Sequence, residues 1–292
     1  LVFSRKVALS PSVLPEPKIP APEELSFNDT PMFLMMSIRW ILLLTFWFSL
    51  LPLSAAEYFV SPQGKNDHDG LTKATAFQTI QRGLDAMEAG DTLTIRPGEY
   101  EEAVHRKGLG REGVTTRIRA EIPGTVLLRG DRRVASFEKV PGSRFVYRAP
   151  FPQEPEAVRE IDTFTKFDPL TAAAQLDVTP GAYFYDAEAG MLYLSPSDFQ
   201  APFHHHYRVS VTPLHGLYLE NPVGVVVSGL AATGFDSREG MRRTSLGSRA
   251  GMRSVWGFMV FNGKGCRLEN LTAFFNGGGI AVQNRGMKDE TH

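Results

Sequence analysis

The stretch Gly216-Leu-Tyr-Leu-Glu-Asn221 returns in the same frame as Gly257-Phe-Met-Val-Phe-Asn262, and again as Gly279-Ile-Ala-Val-Gln-Asn284. The segments after the first two copies also align, with apolar residues in equivalent places: Val225 and Cys266, Val227 and Leu268, Leu230 and Leu271. A repeat of about 22 residues is typical of stacked coils of backbone rather than of a closed globule.

Each copy has the pattern of short strands separated by bends. Apolar residues alternate with others, which points one face of each strand inward, and glycines supply the bends. Three short strands with their turns fit in one repeat. The sequence therefore predicts an all-β fold, a right-handed parallel β-helix. Three recurrent asparagines are predicted to form a structural ladder in which each amide bonds to the next coil: Asn221, Asn262 and Asn284.

The composition narrows the class of protein. The chain has 292 residues, of which 42% are hydrophobic, and a formal charge of -1. It can bury a sizeable core, and without a basic bias it is not expected to bind nucleic acid. The single cysteine, Cys266, falls at an inward position, so we expect a core residue in an exported protein that does not depend on disulfides.

Residues 36–56 have the three parts of a secretory signal peptide. A positive start at Ser37–Arg39 precedes the apolar run Trp40–Leu53 and the small-residue exit Ser54–Ala56, after which cleavage is predicted. The sequence thus predicts a secreted, periplasmic or cell-surface protein that leaves the membrane after cleavage, and an uncleaved anchor is the alternative. Residues 1–35 are rich in proline and lack periodicity, so they are interpreted as a non-native or disordered extension.

Residues 57–130 are predicted to form an N-terminal cap and the first coils. The capping box Thr75–Gln78 opens a helix, and Gly90 ends it. Four apolar side chains share one face of this helix, which would cover the open end of the coils: Phe77, Ile80, Leu84 and Met87. Three stretches that follow alternate like strands: Asp91–Tyr100, Thr116–Ala120 and Thr125–Arg129.

A resemblance to a known family rests on five motifs in this part: Tyr58-Phe-Val-Ser-Pro-Gln-Gly64, Asp69-Gly70, Phe77-Gln-Thr-Ile80, Gly90-Asp-Thr-Leu93 and Arg96-Pro-Gly-Glu-Tyr100. Together they resemble the N-terminal segment of secreted bacterial β-helix proteins similar to pectate lyases of polysaccharide lyase family nine and to alginate lyases. The resemblance covers about residues 57–130 and implies the fold. Because the same segment precedes lyases, glycosidases and surface proteins, the activity has to be argued from the site.

Residues 131–215 interrupt the repeat. Ala182–Tyr185 and Met191–Leu194 read as an antiparallel hairpin, so we predict an inserted β-rich subdomain packed on the coils. Three tyrosines fit either a half-buried strand or a sugar-stacking surface: Tyr183, Tyr185 and Tyr193. The run His204–His206 is not expected to bind a metal, because neighbouring strand residues point to opposite faces.

The step from Gly216 to Gly257 is nearly twice that from Gly257 to Gly279, and the extra residues, which include Arg249, lie between Ser237 and Trp256. Insertions in coil stacks form loops on one face that commonly build the binding site. Guanidinium forks hold a carboxylate or sulfate by two bonds, and an indole offers a stacking surface. Five residues are therefore predicted to bind acidic polysaccharide, a solvated loop being the alternative: Arg238, Arg242, Arg243, Arg253 and Trp256.

The chemistry predicted for this loop is β-elimination. A lyase removes the proton beside a uronate carboxylate, whose charge a metal ion or arginines must neutralise. Asp236 and Glu239 are the candidate ligands of a calcium ion. No catalytic motif of the family can be transferred, so the base stays open. Hydrolysis is disfavoured because Glu220 and Glu269 occupy different positions of the repeat.

Residues 216–292 are predicted to be coils, and the third copy breaks off after Asn284 into a polar tail. The chain is thus interpreted as the N-terminal part of a longer β-helix. We predict a secreted lyase of acidic polysaccharide such as pectate or alginate. The alternatives are a glycan-binding or surface module without activity, an inactive fragment, and a glycoside hydrolase.

Overall fold

A computed structural model of the chain describes residues 55–134, 136–238 and 255–284, and β-strands are the main regular structure in these ranges. Helix α1 is Ile80–Ala86, and 3₁₀ turns occupy Ala173–Val178 and Pro202–His204. Within the described ranges no helix has the length and apolar character needed to cross a membrane. The predicted extension, residues 1–35, lies outside the described ranges. So does the predicted signal peptide, residues 36–56, except for its last two residues.

The strands fall into three groups along the chain. Strands β1 to β6 are Glu57–Val60, Thr92–Ile95, Gly98–Tyr100, Val104–Lys107, Thr116–Ala120 and Val126–Arg129. Strands β7 to β15 are Asp131–Val134, Glu138–Lys139, Tyr147–Pro150, Ala157–Glu160, Thr165–Lys166, Asp168–Pro169, Ala182–Asp186, Met191–Ser195 and Tyr207–Ser210. Strands β16 to β22 are Leu217–Glu220, Val225–Ser228, Leu230–Thr233, Trp256–Phe261, Arg267–Glu269, Thr272–Phe274 and Gly278–Gln283.

The first and third groups build three parallel sheets. Sheet 1 has the order β1-β2-β5-β17-β20, sheet 2 the order β3-β6-β18-β21, and sheet 3 the order β4-β16-β19-β22. Along the chain, successive strands enter sheet 3, sheet 1 and sheet 2 in rotation, three times from β4 to β21. The pairing register agrees with the alignment of the sequence copies, since Leu217 lies opposite Phe258 and Phe258 opposite Ile280.

The alternation of apolar residues explains the shared core of these sheets. In β5, Thr116, Ile118 and Ala120 are buried while the two arginines between them are exposed. Aliphatic side chains from all three sheets, with Phe235 and Phe258, form one buried cluster. Asn221 and Asn262 end equivalent strands in a left-handed conformation, which asparagine tolerates better than most residues. This accounts for their recurrence in the repeat.

The cap differs from the prediction at the start of its helix. The N-cap is Thr79, whose side chain accepts a hydrogen bond from the N–H of Arg82, and the predicted start at Thr75 is wrong. The reason is tertiary: Phe77 pairs with Val60 in a parallel bridge instead of entering the helix. The four predicted apolar side chains are all buried in the main core.

Residues Asp131–Ser210, here called the excursion, leave the parallel sheets and form two sheets of their own. One has the order β11-β10-β15-β7 and is antiparallel, and the other has the order β12-β13-β14-β9-β8. The predicted hairpin is present, with Tyr185 opposite Leu192. The excursion is larger than that hairpin and has a separate buried cluster that includes Phe167 and Tyr207.

Candidate functional site

Both insertions in the repeat lie in the same kind of connection, the one that leads from a strand of sheet 2 to the next strand of sheet 3. This connection is here called the corner. The excursion lies between β6 and β16, and the arginine-rich insertion lies between β18 and β19. Because β6 pairs with β18, the two insertions emerge from neighbouring coils. Insertions on one face of stacked coils commonly carry the binding site, so this corner is the candidate site.

Asp236 lies at the centre of this corner and is almost fully buried. Its Oδ2 binds the Lys166 Nζ at 2.6 Å and forms an ion pair with the Arg159 guanidinium. Its Oδ1 accepts a hydrogen bond from the N–H of Ser237 at 2.8 Å. Since Lys166 and Arg159 belong to the excursion and are partly buried, their ion pairs with the buried Asp236 join the excursion to the coil that carries β18. Each charge depends on its partners once water is removed.

The turn between β21 and β22 closes over Asp236. Asn276 in this turn accepts a hydrogen bond from the N–H of Phe235 at 3.0 Å and donates one to the carbonyl of Ala232 at 3.0 Å. A Cβ atom added to Gly277 would lie 2.9 Å from the Asp236 Oδ1. Only glycine therefore fits there without a shift, so the turn of the next coil and the excursion both pack against the Asp236 carboxylate.

Arg238 is bound to the excursion by carboxylates. Its guanidinium pairs with Glu154, and its backbone N–H donates to the Glu156 Oε2 at 3.0 Å. The hydrogen bond to Glu154 raises the pKa of Arg238, against the opposing effect of burial. The arginine predicted to bind an anionic ligand thus already has acidic partners.

Tyr183 brings a buried hydroxyl to the same region. The hydroxyl has no hydrogen-bond partner among the described residues, and its pKa responds to the charges of Arg238 and Glu156. Burial raises the pKa of Tyr183 to about 12, so the group keeps its proton at neutral pH and can donate a hydrogen bond. Its ring packs in the core of the excursion rather than forming a stacking surface.

Of the other predicted ligand-binding residues, the structure describes only Trp256. Trp256 is half-buried, its backbone N–H donates to the His215 Nδ1 at 2.9 Å, and its indole lies directly against Gly278. Four of the predicted residues lie outside the described ranges: Arg242, Arg243, Arg253 and Glu239. The structure therefore brings Asp236 and Arg238 to the corner, packs Trp256 against His215 and Gly278, and does not describe the other four.

Two cations and two carboxylates of this site were not singled out from the sequence: Arg159, Lys166, Glu154 and Glu156. They lie in the part of the chain without a repeat, and antiparallel pairing alone puts Arg159 opposite Lys166. In residues 55–134, 136–238 and 255–284 no group of three or more acidic, histidine or cysteine side chains is arranged to hold a metal ion. The Asp236 carboxylate faces cations, so calcium binding stays a prediction.

The histidine run has acidic partners that the sequence did not reveal. The His205 Nδ1 lies 2.6 Å from the Asp162 Oδ2, and its Nε2 lies 3.2 Å from the Asp198 Oδ2. Behind them lies Glu160, which is fully buried and accepts hydrogen bonds from hydroxyls of the excursion, including that of Tyr207 at 2.9 Å. Against the opposing effect of burial, a carboxylate near each nitrogen favours the charged form of His205 and raises its pKa.

We predict that the excursion loses stability at alkaline pH through His205. Burial lowers the pKa of His205, but Asp162, Glu160 and Asp198 outweigh it, and the net pKa is raised above 6.5. A raised folded-state pKa gives stability that is complete below the unfolded pKa and is lost as pH rises through the folded value. Thermal unfolding from about pH 5 to about pH 9 should show this loss in the wild type and a flatter profile in His205→Gln. Identical profiles would contradict the assignment.

Comparison with known proteins adds a likeness of fold. No protein-family model matches the chain, and no curated protein matches it. Among solved structures, a complex of XylC with xylose matches 73% of this chain at 15% identity with a TM-score of 0.50. A glycoside hydrolase matches 73% at 12% identity and a TM-score of 0.46, and the GH136 lacto-N-biosidase from Eubacterium ramulus matches 88% at 12% and 0.36.

The matches also cover only part of the chains of these solved structures. This chain spans 40% of the XylC chain, 61% of the glycoside hydrolase and 36% of the lacto-N-biosidase. Of these three likenesses, that to XylC alone reaches a TM-score of 0.50, and at its low identity it concerns the fold. This chain is therefore similar in architecture to part of a larger carbohydrate-binding protein.

Proposed function

We propose that this chain is an exported, carbohydrate-active protein built on a right-handed parallel β-helix. Three parallel sheets entered in rotation, one shared core and a capping helix support the fold. The likeness to XylC, whose structure is a complex with xylose, supports the proposed action on carbohydrate. Export rests on the signal-peptide pattern of residues 36–56 and places the protein outside the cell membrane.

The proposed ligand site is the corner where the excursion meets the coils. The observation that carries it is the contact of the buried Asp236 carboxylate with Lys166 and Arg159, because clusters of charged groups in protected positions are frequent at functional sites. Arg238 and the Tyr183 hydroxyl add donors beside it. Polysaccharides offer many hydroxyls and, in uronates, a carboxylate to such donors.

The first candidate reaction is β-elimination on an acidic polysaccharide such as pectate or alginate. Cations must offset the charge of the uronate before its neighbouring proton can leave. Arg159, Lys166 and Arg238 bring cations to the corner, where Asp236 and Glu154 already pair with them, so the arginine-rich segment after Arg238 is proposed to supply the further positive charge. Calcium held through Asp236 and Glu239 is proposed as a supplementary cation.

The second candidate reaction is glycoside hydrolysis, and one observation favours it. Asp236, Glu154 and Glu156 all reach the corner, whereas the sequence suggested no such group of carboxylates. Hydrolysis needs one carboxyl group as acid and another as base or nucleophile on either side of the bond. A glycan-binding module without turnover is the non-catalytic alternative.

One experiment separates these functions. The full chain is incubated with pectate, alginate and xylan, with calcium or with a chelator, and products are followed by the ultraviolet absorbance of unsaturated uronate and by reducing ends. We expect unsaturated products from an acidic polymer, reduced by chelation. Reducing ends without that absorbance would show hydrolysis, and binding without either signal would show a module. Neither binding nor turnover on any polymer would contradict the proposed function.

A further inference from the structure

Two aromatic rings meet at the edge of the corner. Phe164 lies in the turn between β10 and β11, and Phe275 lies in the turn between β21 and β22. Their ring centroids are 5.4 Å apart and their planes are tilted by 36°. Phe164 is 78% exposed, so this pair is not part of either buried cluster. The excursion and the last coil thus contribute one ring each to an open aromatic surface.

The backbone of both residues is unfavourable for phenylalanine. Phe164 has a φ of 60° and Phe275 a φ of 54°, in the left-handed region that glycine and asparagine adopt most readily. A bulky side chain persists there when something else favours it. Phe199 shows the structural explanation, since its ring at a φ of 60° packs 4.4 Å from the ring of Phe145.

Phe164 also contacts a ring, that of Phe275, but unlike the half-buried Phe199 it stays 78% exposed. Most of its ring faces solvent, so burial gains little from keeping a phenylalanine where glycine would fit the turn more easily. Strained residues of this type cluster at ligand sites. The position of Phe164 therefore indicates a role in contact with another molecule.

The surface adjoins the charged cluster on both sides. Phe164 stands two residues before Lys166, and Phe275 two residues before Gly277, and Lys166 and Gly277 both contact Asp236. An apolar face beside a few fixed polar groups is the usual composition of a small-ligand site. A pyranose ring matches it, because its C–H face is apolar while its edge carries hydroxyls.

We propose that Phe164 and Phe275 form a stacking subsite for one pyranose residue of the bound polysaccharide, next to the Lys166–Asp236 pair. This inference rests on the proposed function and assigns it a contact surface. The C–H face is shared by neutral and acidic sugars, so the subsite supplies affinity, and the cations of the corner discriminate between the two classes.

The test compares binding and stability in the same variants. Phe164→Gly removes the ring and suits the turn, and Phe275→Asn removes the second ring from a similar backbone. Affinity for oligomers of galacturonate, mannuronate and xylose is measured by calorimetry, and Tm by thermal unfolding. We expect each variant to bind the oligomer preferred by the wild type about tenfold more weakly, with Tm of Phe164→Gly within about 2 °C of the wild type or higher.

Phe203→Ser is the matched control, because Phe203 is equally exposed at 80% but belongs to the 3₁₀ turn Pro202–His204 and to neither of the two turns that carry Phe164 and Phe275. Its affinity should equal that of the wild type. Unchanged affinity in Phe164→Gly, with a wild type that binds, would overturn the subsite and leave the proposed function intact. A wild type that binds none of the three oligomers would overturn both. Equal losses in Phe203→Ser would show a general effect of removing aromatic rings and also overturn the subsite.

Discussion

Asp236→Asn is expected to lower the free energy of unfolding by about 3–5 kcal/mol, because it leaves Lys166 and Arg159 facing each other without a counter-charge. For a folded part of this size that corresponds to a fall in Tm of about 10 °C. The asparagine keeps the shape of the side chain, so the loss reports the charge and not a cavity. Chemical denaturation followed by circular dichroism measures it.

A surface ion pair provides the control for Asp236→Asn. Lys264 lies 3.2 Å from Glu112, and both side chains are largely exposed. Glu112→Gln should therefore change the free energy of unfolding by less than about 0.5 kcal/mol. Similar losses in the two variants would show that Asp236 acts as an ordinary surface charge. At temperatures where Asp236→Asn stays folded, we also expect weaker polysaccharide binding, since the cluster that orients Lys166 is gone.

Glu160→Ala is expected to destabilise the excursion by about 3 kcal/mol. Glu160 is fully buried and accepts hydrogen bonds from the hydroxyls of Tyr207, Ser197 and Thr163. Alanine would leave these donors without an acceptor and would remove one of the carboxylates near His205. The near-ultraviolet circular dichroism of the excursion's tyrosines during urea unfolding measures the change.

Single donors test the same network in smaller steps. Tyr207→Phe and Ser197→Ala each remove one hydrogen bond to Glu160, so each should lower the free energy of unfolding by about 1 kcal/mol. Their effects should shrink in the Glu160→Ala background, because the shared acceptor is absent. Additive losses would show that the hydroxyls do not act through Glu160.

The coils could be predicted from the sequence where the repeat is unbroken. Gly216, Gly257 and Gly279 mark a register that the sheet pairing reproduces. Strand β4 escaped prediction because its inward position after Val104 carries Arg106, whose guanidinium donates to the carbonyl of Met87 at 3.2 Å beneath the cap. An arginine that meets a backbone acceptor interrupts the apolar alternation that identifies a strand.

Only some residues of the candidate site could be predicted from the sequence. Asp236 and Arg238 stand out because they adjoin a break in the repeat, where insertions are expected. Their partners Arg159 and Glu154 belong to the excursion. Its antiparallel strand pairings bring residues together that no sequence repeat predicts. Phe164 could be recognised only from its backbone, since a phenylalanine in a polar turn carries no signal of its φ angle.

The excursion begins and ends at one place on the coils. Asp131 pairs with Ser210, and the N–H of Val211 donates to the carbonyl of Gly130 at 3.1 Å. Because its ends are already closed by hydrogen bonds, the pairing of β6 with β18 does not depend on the length of what lies between them. We therefore expect this segment to be exchangeable as a cassette: recombination or engineering can replace it while the coils keep their register, provided that the new segment supplies cationic partners for Asp236.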